Sequence, residues 1–581
     1  MAIKNYFKHL YIRHKAFCMA LCLLSLFSTA VFQPSAWSQT AHKTSHRQPV
    51  KAAKAGAHAK RVNRITPQIP KANRYQRNKV FLENADTLKA DEAISTDYQI
   101  LKGNVKFRRG DMFMYCDSAY FYDKTGSLDA FGHVKMTQGD TLFVYADVLH
   151  YFAEDEVAQL RNHVRLENRN MTLITDSLDY EVRSNVGYYF NRGTIVDSKN
   201  NELSSEFGRY ELDTKNAEFS TDVKLVNEKY EMETNLLRYN TATHIANIVD
   251  ETVIVSDSNT IHTSKGWYDT SKDDATLYDR STIVTKDGST LVGDTVFYDR
   301  KTGYGEAKGN IVLTDTANSV ILDGNYGYHN EKTKLSYATN HARAREFSQK
   351  DTLYLHADTL KTMFDPDSMR LLIANRRVKF FRTDVQGLCD SMAVSQRDSV
   401  LRMFRHGIVW NENRQISGDV INVHYKDSTV DWATLPNYGF MVEQLGDIYF
   451  NQLKGKEIRA DFVAKELRHL DVKGNVQTLF FPQENDSTYN KFVRAESSFL
   501  SLDMKPKQEI ERIAMWPEVT GSVIPLYIAK SSQLYLDGFV WYEQYRPHKP
   551  DDIFDVDNLS QLFEMSNPSM RRVVTTNKQS Q

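Results

Sequence analysis

One short pattern recurs along most of this chain and constrains its fold more than any other feature: an acid or a polar or small substitute, any residue, an apolar residue, any residue, then an aromatic or apolar one. It reads Asp147-Val148-Leu149-His150-Tyr151, Asp176-Ser177-Leu178-Asp179-Tyr180 and Asp294-Thr295-Val296-Phe297-Tyr298. Nine copies begin at Asp86, Asp117, Asp147, Asp176, Glu206, Asn235, Ser264, Asp294 and Gly324, in steps of 29 to 31 residues. Further copies at Asp358, Asp390, Asp419, Asp461 and Glu496 follow in steps of 29 to 42, which implies loop insertions into the same architecture. Self-similarity at such a period marks a repeat fold, in which each unit buries its apolar face only by stacking on its neighbours.

About a dozen residues before each copy stands a second pattern, a Gly or Asn followed by alternating apolar residues, as in Gly103-Asn104-Val105-Lys106-Phe107, Gly132-His133-Val134-Lys135-Met136, Asn162-His163-Val164-Arg165-Leu166 and Gly309-Asn310-Ile311. Both patterns alternate with period two, the mark of strands with one buried face. Turn residues separate them, Arg109-Gly110-Asp111 and Gln138-Gly139-Asp140 on one side, Asp123-Lys124-Thr125-Gly126 and Arg300-Lys301-Thr302-Gly303 on the other. Each repeat therefore predicts two strands of about ten residues, roughly 30 Å long apiece. The chain as a whole is expected to be all-β, a folded antiparallel sheet of about fourteen two-strand repeats.

Proline placement agrees, because none of the 13 Pro lies between Lys71 and Asp365, where the backbone donors are needed for sheet ladders. Glycine at the head of the second pattern weakens a flat strand and reads as a bend or bulge. Bends at a fixed place in every repeat would crease the sheet lengthwise into a trough.

Met1 to Lys15 carries four bases and no acid, and an apolar run follows from Ala16 to about Phe32. Residues 1–38 read as a signal peptide with Ala36 and Ser38 before the cleavage point, an uncleaved anchor being the alternative. Residues 39–79 form a basic, flexible linker: from Gln39 to Val80 there are eleven Lys or Arg and no acid. Removing those eleven and the four earlier bases from 73 leaves 58 against 74 acids, so the folded part is net −16 and no nucleic-acid partner is expected. The expected divisions are regular repeats over 80–350, a second, less regular repeat region over 351–520, and a C-terminal cap and tail over 521–581. Cys116 and Cys389, both in Cys-Asp-Ser, occupy equivalent repeat positions and are expected as two buried free thiols.

At these residues the chain resembles the OstA-like/LptA family of periplasmic lipopolysaccharide-transport proteins. The likeness is carried by Gly103-Asn104-Val105, Gly474-Asn475-Val476 and Ala146-Asp147-Val148-Leu149-His150-Tyr151, and covers roughly Val80 to Leu502. It implies an elongated, V-shaped β-jellyroll whose inner faces hold lipopolysaccharide or lipid A acyl chains. It also implies open edges that add end to end to related proteins, an inner-membrane LptC-like and an outer-membrane LptD-like component. Few strands are expected after Leu502 and the tail is polar, so a long periplasmic member without an outer-membrane barrel is expected, free or associated with either membrane.

The groove lining expected from the alternation is Val105, Phe107, Val134, Met136, Leu149, Tyr151, Val164, Leu166, Leu178, Tyr180, Val296 and Tyr298. Burying hydrocarbon against such a lining yields about 0.8 kcal/mol per CH₂ without any polar site. A closed core is the alternative reading of the same stripe. The repeated Asp reads as a structural residue at turns or edges, since the clustered Gly and Asp of calcium-binding β-rolls are absent. No metal, cofactor or catalytic residue is expected: the 17 His are scattered, and neither a nucleophile elbow nor a phosphate-cradling glycine loop is present. A non-enzymatic lipid-transport scaffold is thus the leading expectation. A β-helix enzyme acting on envelope polysaccharide and a structural or adhesive surface repeat are the alternatives.

Overall fold

The computed structural model describes residues 79–565, apart from 91–96, 170, 199–200, 257–258, 287, 317–318, 348–350, 366–368, 427–428, 465, 485–487 and 507–509. The expected signal peptide, nearly all of the basic linker and the tail beyond 565 lie outside the described residues. Within them the chain is all-β, with 38 strands, a few short 3₁₀ turns and the helix Leu559–Met565. They form two compact units, 79–242 and 243–565, so the division falls inside the stretch expected as regular repeats.

In the first unit the strands Gln99–Arg109, Met112–Tyr122, Ser127–Gln138, Leu142–Phe152, Val157–Asn168 and Met171–Glu181 pair antiparallel, each with the next. Every ladder breaks register at mid-strand. Pairing runs to Lys102↔Ser118 and resumes at Val105↔Cys116, leaving Gly103 and Asn104 opposite Asp117. Gly103 and Asn104 both take positive φ, as do Gly132 and His133, Asn162 and His163, Asn191 and Arg192, and Thr221 and Asp222. Two successive left-handed residues turn the strand through a corner, and Gly, Asn, Asp and His occupy that region most readily.

The repeated Asp clamps these corners. The Asp86 backbone N–H donates to the Gly103 carbonyl at 2.9 Å, and its Oδ2 accepts from Asn104 Nδ2 at 2.9 Å. Asp117 takes the same bond from His133 Nδ1 and Asp147 from His163 Nδ1, both at 2.7 Å, and in the second unit Asp294 takes it from Asn310 Nδ2 at 2.7 Å. At Gly132 the carboxylate reaches close under the corner: a Cβ there would stand 2.5 Å from Asp117 Oδ2, at φ +77. Gly132→Ala should therefore cost about 2–3 kcal/mol, backbone strain and overlap together. Gly139→Ala, at a turn with φ +60 and nothing within 4 Å, should cost only the strain. Chemical denaturation of the two variants checks this, and equal losses would contradict the clamp.

In the second unit the same corners recur with three changes of register. The expected positions Gly324, Asp461 and Glu496 are replaced by Asn325, Lys456 and Ser498, where the ladders actually break. Lys456 serves because the essential bond comes from the backbone: its N–H donates to the Gly474 carbonyl at 2.8 Å, as that of Asp86 does to Gly103. Asp461 sits instead within the strand Glu457–Val463, paired with Arg459 at 2.8 Å.

After the last strand pair, Ile510–Trp516 and Thr520–Pro525, the chain crosses back over the outer face of the second unit. It meets the repeats in reverse order. Gln452 Nε2 donates to the Leu534 carbonyl at 2.9 Å and Gln415 Nε2 to that of Val540 at 2.9 Å, Gln386 Oε1 accepts from Arg546, and Phe554 stacks on His341 with centroids 3.8 Å apart. Beneath this strap Leu388, Ile408 and Trp410 pack against Val556, Leu559 and Leu562.

Candidate functional site

The corners fold each strand so that its two halves face each other, and the residues between the halves form the interior. In the first unit one interior row runs through register partners Phe107, Met114, Met136, Val144, Leu166 and Leu173, and a facing row runs through Leu101, Ala119, Ala130, Leu149, Leu160 and Leu178. Of the twelve expected lining residues, Val105, Phe107, Val134, Met136, Leu149, Tyr151, Val164, Leu166, Leu178, Tyr180 and Val296 are 0–3 % exposed, and only Tyr298 is half-buried. In the first unit these side chains close on one another.

A polar seam holds that closure. Arg109, at the tip of one half-strand, reaches Glu156 at 3.0 Å, with its guanidinium 5.8 Å from the Tyr151 ring centroid. Two strands on, Tyr180 Oη donates to Gln138 Oε1 at 2.8 Å, and Tyr239 Oη donates to Asp197 Oδ2 at 3.4 Å. The aromatic ending the five-residue pattern is thus a latch across the mouth of the trough as well as part of its lining. Burial alone would raise the Glu156 carboxyl, but bonds from Arg183 and Arg109 outweigh it and hold the group below its ordinary value. Burial without a hydrogen bond pushes the Tyr151 phenol up to about 12.

The second unit differs. Its interior row runs Ile254, Ile261, Ile283, Leu291, Leu313, Leu322, Ala344, Leu355 and Phe380. Ile254, Leu355 and Phe380 are buried, whereas Ile261, Ile283, Leu291 and Leu322 are half-buried and Leu313 is 36 % exposed. The facing row here is small, with Ala307, Gly327 and Ala338 beside Val296. Tyr268 and Tyr298 bond to Asp273 and Glu331 at 3.1 Å, carboxylates of neighbouring turns. This stretch is an apolar wall over a shallow floor, open to water. Val296 and Tyr298 lie in it; the sequence reading missed Ile261, Ile283, Leu291, Leu313 and Leu322, although Leu291 and Met114 share one position three residues before the corner Asp.

Among the described residues no cluster of His, Cys, Asp and Glu could hold a metal. Cys116 and Cys389 are buried free thiols, as expected, and desolvation raises both, Cys116 to about 12, which makes them unreactive. No helix among the described residues is long and apolar enough to cross a membrane. What remains is an extended apolar face built by repetition, which defines the class as a β-repeat scaffold with an apolar interior.

Residues 77–235 match the family described as OstA-like protein. The matched segment lies almost wholly within the closed first unit. No curated protein matches the chain.

Proposed function

We propose that this chain is a non-enzymatic scaffold of the bacterial envelope, exported to the periplasm, that shelters acyl chains of lipopolysaccharide or lipid A and passes them toward the outer membrane. The observation that carries the reading is an uninterrupted apolar interior row in the unit that matches the OstA-like family. In this reading the chains enter where the wall of Ile283, Leu291 and Leu313 is open, beside Val296 and Tyr298. Val105, Phe107, Val134, Met136, Leu149, Tyr151, Val164, Leu166, Leu178 and Tyr180 become lining only when the polar seam parts. Hydrocarbon against the open wall gains about 0.8 kcal/mol per CH₂, with no positional preference along it, which suits passage.

The partners proposed are LptC-like and LptD-like components joined by strand addition. Among the described residues Phe81–Asn84 and Thr87–Lys89 pair on one side only, with Gln99–Arg109, and Ile510–Trp516 and Thr520–Pro525 pair only with Lys491–Met504. Unpaired ladder groups of this kind recruit strands, and half-exposed Ile513, Trp516 and Val523 add apolar grip.

A photo-crosslinking residue at Leu313 should capture lipopolysaccharide in a Gram-negative envelope, and one at Leu149 should do so more weakly. Leu313→Asp should abolish capture by a probe at Leu291 while leaving the melting temperature within a few degrees, because the site is already wet. Depletion of the chain should hold lipopolysaccharide at the inner membrane. The tight closure of the first unit favours a second reading, a filled scaffold that bridges partners without carrying lipid. Absence of lipid at Leu313 with partner crosslinks intact at Trp516 would establish that one instead.

A further inference from the structure

On the outer face of the first unit, one lateral row runs Lys106, Tyr115, Lys135, Tyr145, Arg165 and Ile174 across six successive strands, each residue the register partner of the next. Cations alternate with rings. Lys106 lies 5.7 Å from the Tyr115 ring centroid, Lys135 5.7 Å from that of Tyr145, and Arg165 4.7 Å from the same ring. Beside it Phe113 and Phe143 extend the apolar surface, 4.8 Å from Lys106 and 5.6 Å from Lys135. Tyr115 is 36 % and Ile174 54 % exposed. Lys106 meets Glu83 at 2.9 Å and Arg165 meets Glu167 at 3.3 Å, but Lys135 has no carboxylate partner among the described residues.

The second unit shows what this face is built to take. Phe113 and Phe143 stand four residues before the corner residues Asp117 and Asp147, and Gln386, Gln415 and Gln452 stand four before Asp390, Asp419 and Lys456. Those three glutamines, one per repeat, bond the strap 526–565, which runs across the strands. The strap carries seven Asp or Glu against three Lys or Arg, and eight aromatic residues. The register positions covered by an acidic, aromatic polypeptide in the second unit are thus held by Phe113 and Phe143 in the first, beside a row of rings and cations in which Lys135 carries no carboxylate among the described residues.

We propose that the outer face of the first unit, along Lys106, Tyr115, Lys135, Tyr145 and Arg165, is a docking surface for an acidic, aromatic-bearing polypeptide segment of a partner protein lying across the strands. The charges are complementary, and cation-bearing rings grip both carboxylates and aromatic side chains. Cations two strands apart recur at roughly 9.6 Å, close to the rise of about three residues of a polyproline-II segment, whose side chains return to one face every third position, so acids at that spacing fit the row.

The test uses the full chain and a labelled synthetic peptide of about twelve residues with Asp at every third position and Tyr or Phe between, read by fluorescence anisotropy. Lys135→Glu and Tyr145→Ser should each weaken binding by about tenfold or more. Arg376→Glu, an exposed corner cation of the second unit, and Leu313→Asp should leave it unchanged, so failure of the interior reading would not touch this one. Circular dichroism of the Lys135→Glu chain verifies its fold. An affinity indifferent to both row variants overturns the proposal, as does lipopolysaccharide, rather than the peptide, losing its binding on Lys135→Glu. So does a crosslink from Tyr115 that captures only a second copy of this chain.

Discussion

A chain ending at Pro525 should be largely insoluble, and what remains in solution should bind a hydrophobic dye strongly. Removing 526–565 uncovers Leu388, Ile408 and Trp410, each without exposed surface in the intact protein, together with Leu479 and Phe492 beneath Leu536. Exposing five large apolar side chains at about 1.5–3 kcal/mol each is comparable with the whole stability of an ordinary domain, even as an upper bound. The strap is also hydrogen-bonded to the sheet: Gln415 Oε1 accepts from the Tyr542 backbone N–H at 2.8 Å, and from Trp410 Nε1 beneath the strap at 3.1 Å. Gln415→Leu, which keeps the strap but strands both donors, should cost about 2–4 kcal/mol. Sedimentation of the truncated chain and urea unfolding of the point variant are the measurements; a soluble truncation with unchanged melting would mean that the strap is an ornament on a finished sheet.

Glu156→Leu should destabilise the first unit by about 3–5 kcal/mol, because it strands the buried Arg109 cation at the seam. Arg109 Nε already lacks a hydrogen-bond partner, so the loss of the carboxylate adds to an existing deficit. The double variant Arg109→Leu with Glu156→Leu should recover most of the loss, as apolar replacements of buried pairs often do. The pH dependence has a definite sign. The folded-state value of Glu156 is depressed, so its contribution is present above the ordinary carboxylate value of 4.5 and is lost as pH falls through the lower folded value. The wild-type seam should therefore loosen in acid, and the double variant should lose that part of the acid sensitivity. Hydrogen exchange at the tips of Gln99–Arg109 and Val157–Asn168 follows both effects locally; a double variant as weak as the single one would contradict a charge-stranding origin.

Much of the first unit was legible in its residues because its rules are local. Period-two alternation placed the strands, the Gly or Asn heading the second pattern marked the corner, and the Asp fell opposite it. Each feature acts within one or two neighbouring strands. The reading slipped at Asp461 and Glu496, where insertions lengthened the repeat. There an acid before alternating apolar residues imitates the clamp, whereas the corner itself needs only a backbone donor and accepts Lys456. The lining was also legible as a face but not as a state. Leu149 and Leu313 look alike in sequence, yet one is sealed and the other wet, because the seam that seals the first joins residues 42 to 47 positions apart.

The sequence by itself determined an all-β repeat with one apolar face, since alternation and turn chemistry act over a few residues and reappear some fourteen times. Only the tertiary structure decided where that face is shut, where it stands open, and which outer rows are covered by the returning chain. Those outcomes rest on contacts such as Arg546 with Gln386, 160 residues apart, or Tyr239 with Asp197, whose partners carry no mark of one another until folding brings them together.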